Sequence, residues 1–310
     1  MNGNQPGAVG AGRQPQLRNP VLARRLPVRD PSVVPLADGY LILFTRKGEG
    51  SVADRAHWRI GCVRTRDFVS YEPLPDLSAD GYASPGDLVR WHGRWLLPYQ
   101  TYPGERNRLV YVELERTADG LARKGEETAF LDEARELPWN ERGRLIDPTF
   151  VRHGDTLHCY FTGSRPIAGG CGHANLLGHA VTDDPELRRW QIVSAEQPLM
   201  GVMEDAPDGV ENVAVFHNGS VWVMIYSAGL VEQHVGWATS DDLYAWQVHG
   251  RLELSLQHWM RDKHGAPFVW REPDGWRMLL MGDTDGYTSF GMLASTDGLS
   301  WQPLPEEGPG

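Results

Sequence analysis

Residues 29–45 read RDPSVVPLADGYLILFT, and residues 146–162 read IDPTFVRHGDTLHCYFT. Both stretches open with an Asp-Pro pair, run through a short apolar strand, turn at a Gly and enter a second, more apolar strand. Three stretches share this plan without the Asp-Pro pair: GDLVRWHGRWLLPYQ at 86–100, VENVAVFHNGSVWVMIYS at 210–227 and KHGAPFVWREPDGWRMLLMG at 263–282. The openings recur roughly every 53 to 64 residues, which indicates a fivefold internal repeat.

A second element follows in most units, where a strand that starts at a Gly leads into an Asp turn and then an aromatic residue. Its copies are GCVRTRDFVSY from Gly61, GHAVTDDPELRRW from Gly178, GWATSDDLYAW from Gly236 and GMLASTDGLSW from Gly291. Asp67, Asp242 and Asp297 are interpreted as structural turn residues that accept local N–H groups. Helical signals are nearly absent, and the best candidate, ETAFLDEARELPW, is stopped by Pro138. The sequence therefore predicts an all-β fold, a five-bladed β-propeller.

The bulk composition fits one large folded unit with a tail. Residues 1–16 are rich in Gly, Pro, Gln and Asn and predict a disordered tail, and residues 17–310 are predicted to form a single propeller domain. The formal net charge of −11 argues against nucleic acid and anionic membrane as partners. The 12 Trp and 10 Tyr residues suit the apolar faces of sugar rings and the core of a propeller equally well.

Cysteine usage and the N-terminal sequence predict a cytoplasmic location. The three cysteines form no C-x-x-C pair, so we expect a reducing compartment and no disulfide framework. The first residues lack the apolar region of a signal peptide, and no stretch approaches eighteen apolar residues. This expectation holds unless a signal peptide preceded the sequence.

Acidic residues stand at the openings of the repeats. In a propeller the first strand of each blade lines the central channel, so the openings are predicted to converge at Asp30, Asp87, Asp147, Glu211 and His264. Packing alone favours apolar residues there, because clustered carboxylates repel and raise one another's pKa. A protonated carboxyl group beside an ionised one is what glycoside hydrolysis requires. The set predicts a glycosidase, although an Asp-Pro pair alone more often only initiates a turn.

Residues 19–305 resemble the five-bladed glycoside hydrolases of family 43 and their relatives in families 32, 62, 68 and 117. The matching motifs are VRDPSVV, LIDPTFV and GVENVAV, which contain Asp30, Asp147 and Glu211. The resemblance implies that Asp30 is the general base, Asp147 a modulator of pKa and Glu211 the general acid, acting on an oligosaccharide or glycoside. It implies no required cofactor. Asn212 and Val213 follow the acid where that family has Gly-Pro or Ala-Pro, so the subfamily is open.

The resemblance also places His264 near the pocket floor, beside a water-linked structural calcium in some relatives. A lone His without such a context is more often a core residue. Asp87 is interpreted either as a ligand of sugar hydroxyls or as a turn residue. Further substrate-binding residues are predicted at strand starts and in loops around the pocket: Arg29, Arg46, Arg165, His173 and Trp259.

The predicted reaction is exo-acting hydrolysis of a terminal furanosyl or xylosyl-type unit, as in an arabinofuranosidase or xylosidase. Three alternatives stay open: a non-catalytic glycan-binding propeller, a retaining fructan hydrolase like family 32 with Asp30 as nucleophile, and a phosphorylase. A six-bladed sialidase is disfavoured because only five units are visible, although STDGLSW at 295–301 comes near its Asp-box. Sugar identity, stereochemical outcome and oligomeric state are not predicted.

Overall fold

A computed structural model describes residues 17–23, 28–47, 55–101, 107–117, 120–167 and 172–306. These residues form five antiparallel sheets, one for each predicted unit, and the sheets are arranged as a five-bladed β-propeller. The predicted fold class is therefore confirmed. The predicted tail, residues 1–16, lies outside the described residues. Within the described ranges, none of the helices is long and apolar enough to cross a membrane.

The strands follow the blades in chain order, with one exception at the N-terminus. The first strand, β1 (Leu22–Ala23), belongs to the last blade. Blade I contains β2 (Val28–Leu36), β3 (Gly39–Lys47), β4 (Trp58–Thr65) and β5 (Tyr71–Leu74). Blade II contains β6 (Tyr82–Ala83), β7 (Val89–Trp91), β8 (Arg94–Thr101), β9 (Arg108–Thr117), β10 (Gly120–Arg123) and β11 (Thr128–Phe130).

The other three blades follow the same antiparallel plan. Blade III contains β12 (Ile146–His153), β13 (Thr156–Pro166), β14 (His173–Thr182) and β15 (Gln191–Ile192). Blade IV contains β16 (Val210–His217), β17 (Trp222–Ala228), β18 (His234–Ser240) and β19 (Gln247–Arg251). Blade V contains β20 (Lys263–Glu272), β21 (Gly275–Thr284), β22 (Tyr287–Ser295) and β23 (Gln302–Pro303). Short 3-10 helices lie in the connections at Arg55–His57, Asp132–Glu136 and His258–Met260.

The hydrophobic core lies between neighbouring blades. Five large apolar clusters each join residues of two adjacent blades. Leu43 and Leu97, for example, meet between blades I and II. Each sheet thus buries both of its faces against its neighbours, which is why the second strands are nearly continuous apolar runs.

Asp turns follow the third strands, as the sequence predicts. Asp67 accepts the N–H groups of Val69 and Ser70, both at 2.9 Å. Asp242 and Asp297 make the matching pairs of hydrogen bonds in blades IV and V. The interpretation of these three carboxylates as structural is confirmed.

Both ends of the chain close the ring in blade V. Strand β1 pairs with β22 at one end and β23 pairs with β22 further along, so the outermost strand is contributed in two pieces. Asn19 holds the junction. Its side-chain amide donates to the carbonyls of Met292 at 3.0 Å and Leu304 at 3.2 Å, and its side-chain oxygen accepts the Met292 N–H at 2.7 Å. Closure leaves no free edge at this point of the ring.

Substitution of Asn19 by Ala is expected to lower the free energy of unfolding by about 1–3 kcal/mol, because it leaves the buried Met292 N–H without a partner and removes one of two donors from the carbonyls of Met292 and Leu304. Denaturant unfolding monitored by tryptophan fluorescence measures the loss. Arg18→Ala is the matched control, since exposed Arg18 makes one hydrogen bond to the Glu306 carbonyl in the same segment. An Asn19→Ala variant as stable as Arg18→Ala would show that the junction does not hold the ring closed.

The innermost strands share a bulge at one level of the ring. Pairing shifts register there in four blades, and a residue with positive φ occupies the same place in every blade: Asp30 (51°), Ser84 (52°), Asp147 (52°), Asn212 (49°) and Ala266 (46°). A bulge of this kind re-aims the side chains beside it. The predicted equivalence of the five openings is therefore wrong for Asp87, Glu211 and His264. A proline follows the bulge residue in four blades, at Pro31, Pro85, Pro148 and Pro267, and only blade IV lacks it. The repeats were aligned on their acidic residues instead, so the alignment slipped by one to three residues.

Polar side chains from the second strands hold the bulges across the blade boundaries. Thr45 of blade I accepts the Ser84 N–H at 2.8 Å, and Ser227 of blade IV accepts the Ala266 N–H at 2.7 Å. Gln100 of blade II accepts the Asp147 N–H in the same way. The bulges of blades II, III and V are thus positioned by the preceding blade, so the geometry around the channel depends on contacts between blades.

Candidate active site

Asp30 lies at the bulge of blade I and is held by two hydroxyl groups. Its Oδ2 accepts hydrogen bonds from Thr45 Oγ1 at 2.7 Å and from Ser84 Oγ at 3.1 Å. The first donor comes from its own blade and the second from blade II. This clamp fixes the carboxylate at the boundary of two blades.

Glu211 precedes the bulge residue of blade IV, and two side-chain amides hold its carboxyl group. Asn175 Nδ2 donates to Oε2, and Gln233 Nε2 donates to Oε1 at 3.2 Å. Asn175 stands near the start of β14 and Gln233 directly before β18. Burial raises the pKa of Glu211, and the charge of Asp30 adds to this, whereas Arg144, Arg29 and Asn175 oppose it. The raised pKa favours a carboxyl group that still carries its proton when water is activated nearby.

Asp147 lies at the bulge of blade III and is 6% exposed. Its Oδ2 atom is buried and has no hydrogen-bond partner among the described residues. Burial raises the pKa of Asp147 well above its ordinary value, and the charges of Glu211 and Asp30 raise it further. Burial of a carboxyl group with an unpaired oxygen favours its neutral form, so the surroundings of Asp147 favour protonation of this group beside the other two acids.

Arg144 supplies positive charge beside the acids. Its Nη1 lies 2.7 Å from His173 Nε2 and 3.4 Å from Asn175 Oδ1. It also lowers the pKa of both Asp147 and Glu211, although burial outweighs it. The predicted rim residue His173 is therefore part of this group through Arg144.

The residue before each bulge forms a second level around the channel. These positions hold Arg29, Ala83, Ile146, Glu211 and Gly265. Ala83 and Ile146 pack with Trp58 in a small apolar cluster. The level therefore combines apolar residues in blades II and III with the Arg29 guanidinium group of blade I and the Glu211 carboxyl group of blade IV.

No protein-family model matches the sequence, and no curated protein matches it. Solved structures do. An α-L-arabinofuranosidase from Lactobacillus brevis is 15% identical over 94% of this chain and 98% of its own, with a TM-score of 0.63. A family 43 enzyme from Xanthomonas citri, solved with xylotriose, is 13% identical over 92% of this chain and 93% of its own, with a TM-score of 0.64.

A family 32 β-fructofuranosidase from Bombyx mori is 12% identical over 92% of this chain and 64% of its own, with a TM-score of 0.65. The chain has the five-bladed fold of the family 43 and family 32 glycoside hydrolases. At this level of identity the likeness establishes the fold, and the predicted resemblance is confirmed to that extent.

Within this fold, His264 contacts Gln233, whose side chain holds Glu211. Its N–H donates to the Gln233 carbonyl at 3.1 Å, and burial lowers its pKa to about 4, assisted by the charges of His234 and Arg251. Two histidines and an arginine do not suit calcium, which prefers oxygen ligands. Among the described residues no group of three or more His, Cys, Asp or Glu side chains fits a metal ion. The water-linked calcium stays a prediction.

The structure contradicts the prediction that Trp259 binds substrate. The side chain of Trp259 is 4% exposed and belongs to the core between blades IV and V. Its ring covers Gly282 and Gly291, where a Cβ atom would lie within 2.3 Å and 2.1 Å of it. Its indole N–H donates to Gln257 Oε1 at 2.7 Å. Trp259 therefore packs against blade V and does not bind substrate.

Two predicted arginines, Arg46 and Arg165, make no hydrogen bond or ion pair with Asp30, Asp147 or Glu211 among the described residues. Arg46 forms an ion pair with Asp76, and Asp76 also pairs with Arg59 at 3.3 Å. Arg165 is exposed near the end of β13. Its role as a substrate ligand stays a prediction.

Asp87 lines a cavity of about 30 Å³ whose wall also includes Asp30 and Asp147. A space of this size admits a water molecule but no sugar ring. Burial raises the pKa of Asp87 to about 7. The structure thus gives no support to a contact between Asp87 and sugar hydroxyls, and links Asp87 instead to the interior side of the two Asp-Pro bulges.

Three polar residues at the site were not predicted: Arg144, Asn175 and Gln233. Arg144 lies three residues before the Asp-Pro pair of blade III, and no motif marks it. Asn175 and Gln233 stand at matching places, at or just before the third strands of blades III and IV. That recurrence was the available signal, since third strands begin at the same end of a blade as first strands.

Gly265→Ala is expected to lower kcat at least about tenfold while leaving the fold intact, since small displacements of a catalytic group are costly. A Cβ atom at Gly265 would lie 2.7 Å from Gln233 Oε1 and 2.7 Å from Ser227 Oγ, so Gln233 must move away from Glu211. Steady-state kinetics of Gly265→Ala, Gln233→Ala and the double variant form a cycle. If the losses of kcat in the two single variants add up in the double variant, the effect of Gly265→Ala is not transmitted through Gln233. Thermal melting checks that each variant is folded.

Proposed function

We propose that this protein is a glycoside hydrolase that removes a terminal furanosyl or xylosyl-type unit from an oligosaccharide or glycoside. The observation that carries the proposal is the convergence of Asp30, Asp147 and Glu211 in one channel, with the pKa of the last two raised. Structural packing has no use for three carboxyl groups at this level of a propeller. Glycoside hydrolysis requires one proton-bearing carboxyl group and one that accepts a proton.

The three acids take different roles because their surroundings differ. Glu211, buried and with a raised pKa, protonates the leaving oxygen. Asp30, oriented by Thr45 and Ser84, accepts a proton from the water that attacks the opposite face of the sugar. Asp147 keeps its own proton and prevents a third negative charge from building up beside the developing oxocarbenium ion. Asn175 and Gln233 fix the direction in which Glu211 donates.

The sugar class is proposed from what the neighbours in structure are named for. The Lactobacillus brevis neighbour is an α-L-arabinofuranosidase, and the Xanthomonas citri neighbour was solved with xylotriose. Trp58, Ala83 and Ile146 are buried together and support the wall of the channel from behind, so they do not select the sugar.

The test is release of nitrophenol from a panel of aryl arabinofuranosides, xylosides and galactofuranosides, with fructan oligosaccharides followed by sugar analysis. Asp30→Asn protein, purified in parallel, controls for a contaminating glycosidase. Turnover of one substrate by wild type alone supports the proposal and identifies the sugar. NMR of the first product anomer then separates inversion, expected for Asp30 as base, from retention, expected for Asp30 as nucleophile. If wild type turns over none of these substrates but still binds sugar, the proposal is contradicted and a non-catalytic glycan-binding propeller is favoured.

A further inference from the structure

Arg29 is a pocket cation without a partner. It occupies the same place in blade I that Glu211 occupies in blade IV, directly before the bulge residue. Among the residues that the structure describes, no carboxylate pairs with Arg29, and its Nε atom is buried without a hydrogen-bond partner. It lowers the pKa of Glu211, so its charge is felt at that carboxyl group. The Nε atoms of Arg46, Arg59 and Arg64 are buried without a partner as well, so what distinguishes Arg29 is its position beside the acids and not this atom alone.

Arg144 is a second cation of the same kind. Its neighbours are the His173 ring and the Asn175 side chain, and in the described part of the chain it forms no ion pair. Elsewhere some arginines pair with acids, as Arg64 does with Asp38, and others donate to carbonyls, as Arg152 does. Arg29 and Arg144 are set apart by their position, beside three carboxyl groups without a close ion pair to any of them among the described residues.

The charges of the working site do not cancel. In the state that the proposed reaction needs, Glu211 and Asp147 carry protons and Asp30 is ionised. With Arg29 and Arg144 the five groups then hold two positive charges and one negative charge, a net charge of about +1. The whole protein has a formal net charge of −11, so this surplus is local. A neutral sugar makes no use of it, whereas an anionic one is attracted by it.

We propose that Arg29 and Arg144 bind the carboxylate of an acidic sugar on the leaving-group side of the scissile bond. The inference rests on the proposed hydrolase function. The side is set by Glu211, which protonates the leaving oxygen and lies among the contacts of both arginines: Arg144 reaches it through Asn175, and Arg29 faces it from the matching position of blade I. A guanidinium group offers two parallel N–H donors that match a carboxylate. The substrate is then a small neutral sugar attached to a uronosyl residue.

Binding separates this inference from catalysis. The probes are digalacturonate and methyl glucuronide, each beside its methyl ester, which removes the charge and keeps the ring. Calorimetric titrations use wild type, Arg29→Gln, Arg29→Lys and Arg144→Gln, with Arg66→Gln as matched control. Arg66 lies just after β4 with a side chain 75% exposed, so its loss removes one positive charge elsewhere.

Wild type is expected to bind at least one acid about 10- to 100-fold more tightly than its ester, as for hydrogen bonds to a charged group. Arg29→Gln and Arg144→Gln lose this preference, Arg29→Lys keeps part of it, and Arg66→Gln keeps all of it. Raised salt weakens binding of the acid and leaves binding of the ester unchanged. If Arg29→Gln fails to fold, the inference is tested on wild type alone, by comparing its affinity for the acid with its affinity for the ester and by measuring both affinities at raised salt.

The outcomes distinguish the inference from the function on which it rests. Binding of an acid that depends on Arg29, with no turnover of any glycoside, keeps the acid-binding site but overturns hydrolysis, and with it the assignment to the leaving-group side. Turnover of neutral glycosides, with acids and esters bound equally, overturns the inference and keeps hydrolysis. Dependence of turnover on inorganic phosphate, with release of a sugar 1-phosphate, also overturns it and assigns the arginines to phosphate.

Discussion

Replacing Glu211 with Gln is expected to lower kcat by about 10²- to 10⁴-fold on a substrate with a poor leaving group, the range that general acid catalysis contributes. The substitution preserves size and hydrogen-bonding capacity. Asn175 and Gln233, the two amides that hold Glu211, can reverse their amide groups to accept where they now donate. What disappears is the proton that must reach the leaving oxygen. Kinetics on a natural oligosaccharide measures the loss.

Leaving-group dependence makes the result specific for an acid. A dinitrophenyl glycoside needs little protonation, so Glu211→Gln should cleave it far better than it cleaves the oligosaccharide. The alkaline limb of the wild-type profile should also vanish, because activity falls as pH rises through the raised pKa of Glu211. Glu232→Gln, an exposed acid beside Gln233, is the matched control. An equal loss on both substrates would remove Glu211 from the role of acid.

The repeat and two of its three acids were predictable because they are recorded locally. An Asp-Pro pair before an apolar strand marks the bulges that carry Asp30 and Asp147 without knowledge of any distant contact. Glu211 was found at the opening of its repeat and also in a motif of the resembling family, but it stands one residue before the bulge, since the residue with positive φ in blade IV is Asn212. The bulge at Ser84 was marked by Pro85, but the alignment followed acidic residues and took Asp87 in its place.

The rest of the site depends on contacts between blades. Asn175 and Gln233 reach Glu211 from two neighbouring third strands, and nothing in their own sequence surroundings predicts that meeting. Gln233 also needs the space left by Gly265, a residue of the next blade. The prediction for Trp259 was wrong because the sequence does not show whether an aromatic side chain is exposed or buried. Its burial depends on the strands of blade V that cover its ring.

Acidification is expected to weaken the fold through a buried pair of histidines. His158 Nδ1 lies 3.0 Å from His179 Nε2, the two rings are stacked at 10°, and Tyr160 stacks on His179 from 4.6 Å. Burial lowers the pKa of His158 to about 4 and that of His179 to about 3; the charge of His153 adds to the first shift and that of His158 to the second. One proton fits between the facing nitrogens, so a doubly charged pair is excluded from the folded state.

The direction follows from proton binding. Unfolded histidines titrate near pH 6.5, so below that pH the unfolded chain binds more protons than the folded one. The stabilisation is fully present above about pH 6.5 and is lost progressively as the pH falls toward 4 and 3. For the pair the loss by pH 4 is on the order of 5 kcal/mol. Asp147 and Glu211 act in the opposite sense, since their raised pKa values let the folded state bind protons first.

Comparison with a variant removes the contribution of those carboxyl groups. The double variant His158→Gln/His179→Gln should be less stable than wild type at pH 7, and the gap should close by several kcal/mol at pH 4 because only wild type loses the histidine contribution. Denaturant unfolding at four pH values measures this convergence. His217→Gln, a surface histidine, should run parallel to wild type throughout. If the double variant also runs parallel to wild type, the buried pair does not carry the acid sensitivity.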